Sequence, residues 1–111
     1  MPSFDFDKFL KSFKGGIVDL ATKEGKEFVD EARRDGNAFV KKVREDIQTW
    51  GSQLASGELS KKDFEFLLKG KRDLAEMNAL KEAGLAKIRI DRIVDGMIQV
   101  AVVAAKGAAA V

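Results

Sequence analysis

Asp91 and Asp95 stand one helical turn apart, as do Glu27 and Glu31, and carboxylates paired at that spacing are this chain's best candidates for acid–base chemistry. Asp95 is the more interesting, because Ile90, Val94, Met97 and Ile98 surround it in sequence, an apolar setting that favours a protonated acid. The remaining inventory argues against catalysis. The chain has no His, the side chain most used for proton transfer near neutral pH, and neither Cys nor Tyr. Covalent chemistry would fall to Ser, Thr, Lys or a carboxylate, each of which needs an activating partner in a dry pocket. The simpler reading of Asp95 is a charge facing solvent or paired with Arg92 or another chain. No enzyme activity and no small-molecule substrate are expected.

Metal and cofactor sites fare no better. Zinc favours Cys and His, and the di-iron bundle motif needs a Glu followed three residues later by a His. No calcium loop appears, and Gly70, Gly84, Gly96 and Gly107 are too dispersed to cradle a phosphate. No cofactor is expected. Lys plus Arg number 20 against 18 Asp plus Glu, with the signs interspersed, which describes a solvated helix surface. The densest basic group, Lys69, Lys71 and Arg72, lies beside Asp73 and Glu76, so nucleic acid is not an expected partner.

The elements that carry these residues are helical. At 111 residues with 45% hydrophobic and 34% charged side chains, the chain has the size and composition of one folded domain. A single Pro, at position 2, and the lack of hairpin signals leave little from which to build a sheet. The dominant pattern is a repeat. Phe6, Ile17, Phe28, Phe39 and Trp50 are eleven residues apart, and Leu10, Ala21, Ala32, Val43 and Leu54 follow each by four. Eleven residues make three turns of about 3.67 residues, so the stripe stays on one side of a nearly straight helix. In its period alone, over residues 6 to 54, this pattern resembles that of apolipoprotein-type and other 11-residue-repeat helical proteins. The resemblance carries over no site residue.

The spacing predicts a helix over about 4–54, capped by Ser3 and bent at Gly15 and Gly16, where two glycines cost about 2 kcal/mol relative to Ala. Asp30 with Arg34, Lys41 with Glu45 and Lys42 with Asp46 fit ion pairs along it. Gly25 and Gly36, also eleven apart, read equally well as close backbone approaches or as tolerated glycines. A turn is expected over about 51–60, and Ser60 with Asp63 opens a second helix over about 61–106. Gly84 followed by Leu85 resembles a Schellman ending: if it stops the helix at 83–84 a third helix follows, and if the glycine is tolerated the helix is continuous. Two all-α architectures follow: an antiparallel hairpin of two arms about 70 Å long at 1.5 Å per residue, or a three-helix bundle. The hairpin is favoured, because a long striped helix needs a long partner.

Such a hairpin cannot dry both its faces, so completion by self-association, most simply as a homodimer, is expected. The contact residues would be Phe6, Ile17, Phe28, Phe39, Trp50 and Met97, with Phe39 and Trp50 as anchors. The alternative is reversible binding to a membrane surface or lipid. Phe6, Phe9, Leu10 and Phe13 share a face flanked by Lys8, Lys11 and Lys14, as in an interfacial helix, although Asp5 and Asp7 oppose an anionic bilayer. The N-terminal residues do not read as a secretory signal, and Asp95, Gln99 and Lys106 interrupt the apolar stretch from Ile93 to Val111, so a cytoplasmic location without a membrane span is expected.

Overall fold

The computed structural model describes residues 3–109, which fold into helices and turns: α1 (Phe6–Glu24), α2 (Val29–Lys42), α3 (Arg44–Ser56), α4 (Lys61–Lys69), α5 (Asn78–Glu82) and α6 (Lys87–Ala108). Short 3-10 turns at Lys26–Phe28 and Arg72–Leu74 join the second helix to the first and the fifth to the fourth. The all-helical expectation holds. The two long arms do not form: the molecule measures 46 × 23 × 19 Å, and what the repeat marks as one helix is three.

Helix α1 starts two residues later than expected, because the Asp5 carboxylate rather than Ser3 accepts from the Lys8 N–H at 3.1 Å. Phe6, Phe9, Phe13, Ile17 and Ala21 recur every three or four residues and are all buried. The helix is unbroken through Gly15 and Gly16. Tertiary packing explains the tolerance. Val100 of α6 sits on Gly16, so close that a Cβ there would lie 2.4 Å from its Cγ1, and Leu20 of α1 sits in the same way on Gly96.

The break falls at Gly25 instead. Its N–H bonds to the Ala21 carbonyl, and Arg89 of α6 donates to the Glu24 carbonyl while its guanidinium lies 5.9 Å from the Phe28 ring. A Cβ at Gly25 would meet that guanidinium at 2.7 Å. With α1 capped by a distant arginine, the chain turns and α2 packs back along α1, where Gly36 faces Phe13 and Ile17. Gly25 and Gly36 thus admit side chains rather than a neighbouring backbone.

A second interruption lies at the fully buried Val43, whose backbone leaves the helical region (φ −107°, ψ 15°). The three predicted ion pairs along this stretch do not form, and here the reason is visible. Val43 separates Lys41 and Lys42 from Glu45 and Asp46, and Lys42 pairs with Glu76 while Asp46 pairs with Lys71 at 3.5 Å. Asp30 lies 4.0 Å from Arg33.

Helix α3 continues through the start of the expected turn and ends at Gly57 in the left-handed conformation, φ 85°. Ser60 caps α4 by accepting from the Asp63 N–H at 3.0 Å. The favoured continuous helix over 61–106 is also broken, at Gly70 and again at Gly84. Leu85 N–H to Leu80 O and Gly84 N–H to Lys81 O, both 3.1 Å, complete the Schellman ending at Gly84, φ 87°. Helix α6 then returns antiparallel to α1, tied at one end by Asp5 N–H to Ala108 O at 3.0 Å and at the other by Arg89. Among the described residues no helix is long and apolar enough to cross a membrane.

Candidate functional site

The segment between α4 and α5 has the least regular backbone in the fold, yet it is tied to three neighbours. Arg72 pairs with Asp95 of α6, Lys71 with Asp46 of α3, and Glu76 with Lys42 of α2. Met77 follows, 3% exposed and left-handed at φ 56°, ψ 40°, a conformation that costs a side-chain-bearing residue about 1–2 kcal/mol. What holds it is Asp35. This carboxylate, 7% exposed, accepts from the Ala79 N–H at 2.9 Å and the Leu80 N–H at 2.8 Å, so a residue of α2 caps α5 from more than forty positions away. Nothing in the local sequence distinguishes Asp35 from its charged neighbours, and the sequence pattern does not single it out.

Between this segment and the first half of α6 lies an open groove of about 540 Å³. Its floor is apolar, made by Met77, Leu85, Ile90 and Val94. The rim carries Arg72, Lys81 and Lys87 against Asp73, Glu76 and Asp91, three charges of each sign. The Lys42 ammonium, hydrogen-bonded to Glu76, holds that carboxyl below the usual carboxylate range. Ile88, 64% exposed, is carried by the same helix, α6.

The residues singled out for chemistry are scattered across the fold. Asp91 is exposed on the groove rim, and Asp95 is exposed and engaged by Arg72 rather than Arg92. Glu27 is exposed, while Glu31 is half-buried with its Oε2 enclosed and without a hydrogen-bond partner. Among the described residues no three acidic groups gather as metal ligands. The basic group Lys69, Lys71 and Arg72 is answered charge for charge by Glu65, Asp46 and Asp95.

Of the expected self-association residues, Phe6, Ile17, Phe39 and Met97 are buried in the chain's own core, so they are not free to meet a partner. Phe28 and Trp50 are half-buried, with Trp50 edge-on to Phe64 at 6.4 Å between ring centres. The proposed lipid face is likewise internal. Phe9 and Phe13 are fully buried and stacked at 5.8 Å, Phe6 is 8% exposed, and only Leu10 is half-exposed. Among the described residues the most exposed large hydrophobic side chains are Phe66 (76%), Ile88 and Val103 (64% each) and Leu74 (38%). No family model, curated protein or solved structure matches the chain.

Proposed function

We propose that the protein is a non-enzymatic helical interaction module that assembles with copies of itself, and that the contact is the groove between the α4–α5 segment and α6. The observation that supports this reading is the balance of the rim. In a two-fold interface each residue meets its counterpart's neighbour, so a surface must complement itself. A groove with an apolar floor and both signs of charge interleaved meets that condition, and α6, which forms one wall, also exposes Ile88. Of the five residues Phe6, Ile17, Phe28, Phe39 and Trp50, Phe28 and Trp50 keep partial exposure.

The test is molar mass by light scattering across a concentration series. A species at twice the 12.2 kDa chain mass, reduced to the chain mass by Ile88→Glu or Asp91→Lys with unchanged circular dichroism, supports the reading. A monomer at every concentration refutes it. A second reading, reversible binding to an anionic lipid surface, draws on the exposed Lys8, Lys11 and Lys14 around Leu10. It requires α1 to leave the core, so vesicle binding would be accompanied by exposure of Phe9 and Phe13.

A further inference from the structure

On the opposite side of α2 from Asp35's contacts, α1 and the α2–α3 junction enclose a second open groove, of about 340 Å³. Phe6, Leu10 and Val40 form its apolar lining. Its charged residues are Lys14, Lys41 and Arg44, all cations, and among the described residues none of them is in an ion pair. We propose that this groove is a docking site for an acidic peptide that inserts one large apolar side chain between carboxylates.

The placement of the cations decides the occupant. Arg44 lies over the Phe6 ring, 4.7 Å from its centre, and Lys14 stands eight residues further along the same helix, about 12 Å away at 1.5 Å per residue. Lys41 flanks the middle. An amphiphile with one anionic head needs cations at one end of its apolar track, whereas these bracket the track at both. A helix with a Leu and a Glu four residues to either side of it presents carboxylates about 12 Å apart, which matches the bracket. Beyond Lys14 the cleft continues to Arg33, whose nearest acid is Asp30.

A second copy of the chain fits poorly. Its most exposed aromatic, Phe66, has Lys62 and Lys69 one turn to either side alongside Asp63 and would bring cations to cations, while Ile88, with Asp91 and Arg92 both one turn on, presents mixed signs rather than a carboxylate on each side. The site is therefore independent of the self-association groove.

The experiment is a titration of isotope-labelled protein with a capped synthetic helix of Ala and Gln carrying one Leu with Glu four residues before and after it. Saturable shifts at the Leu10, Asn37 and Val40 amides are expected. They should weaken about tenfold when Glu is replaced by Gln in the peptide, and similarly in the Lys14→Gln/Lys41→Gln variant. Both lysines are exposed, and an unchanged melting curve shows that the variant folds. Absence of shifts at millimolar peptide overturns the proposal, as do shifts indifferent to the charge changes. Binding to phosphatidylserine vesicles lost in the same variant, with no response to the peptide, overturns it in favour of a lipid surface.

Discussion

Gly15 and Gly16 are adjacent on one helix, and replacing each by Ala should move stability in opposite directions. A methyl group at Gly15 meets nothing within 4 Å, so Gly15→Ala collects the helix-propensity gain of about 1 kcal/mol. A methyl group at Gly16 meets Val100 Cγ1 at 2.4 Å and its Cγ2 at 3.3 Å. Valine is stiff about χ1, so it cannot swing aside freely, and relief must come from separating α1 from α6. Overpacking of this kind costs about 1–3 kcal/mol, which cancels the propensity gain or exceeds it. The gap between the two variants is then about 2 kcal/mol. At an unfolding entropy of about 2.1 cal/mol/K per residue over 111 residues, Gly15→Ala raises the Tm by about 4 °C and Gly16→Ala melts about 8 °C below it. Calorimetry measures both, and Val100→Ala in the Gly16→Ala background should recover part of the deficit, showing the two sites are coupled. If Gly16→Ala stabilises as much as Gly15→Ala, then α6 does not pack on α1 at this register and the fold described above is wrong at its main interface.

Asp35→Ala strands the Ala79 and Leu80 N–H groups and should lower the urea midpoint through a loss of about 3 kcal/mol, with Asp35→Asn intermediate; a loss under about 0.5 kcal/mol means α5 is capped by something else. Gly84→Ala puts a Cβ at a left-handed position and should cost about 1 kcal/mol although no atom lies within 4 Å of it, whereas Gly107→Ala, equally free of neighbours at φ < 0, should not. Glu76, through the Lys42 ammonium, and Glu65, through Lys69 and then Gln99, have pKa values lowered in the folded state. Their stabilising contribution is therefore complete above the unfolded carboxylate range, about pH 4.3, and is lost as pH falls through the lower folded values. Lys42→Met should flatten part of the acid-side fall of the unfolding midpoint, and an unaltered pH profile would show that the Lys42–Glu76 pair is not formed in solution.

What the sequence determined alone is the helical class and which faces are apolar. Phe6, Phe9, Phe13 and Ile17 recur at helical spacing, and a face of that kind is buried whichever helix receives it. Local chemistry also marked Ser60 as a cap, because a hydroxyl one turn from a free N–H acts within a few residues; it offered Gly84 as a stop as well, but the length of the striped helix outweighed that signal in favour of a continuous partner that does not form. The eleven-residue period pointed to one straight helix, and there it misled: a period reports which side is apolar and cannot report whether the chain reverses between repeats. Reversal at Gly25 was decided by Arg89, sixty-four residues away, and continuity at Gly16 by Val100, which sits where a side chain would otherwise be. The same holds for the candidate sites. Asp35 caps α5, and Lys14, Lys41 and Arg44 gather around one groove, only because α2 folds back on α1. Charges belonging to separate helices acquire a common purpose through packing, and the spacing of residues along a single chain does not contain that distance.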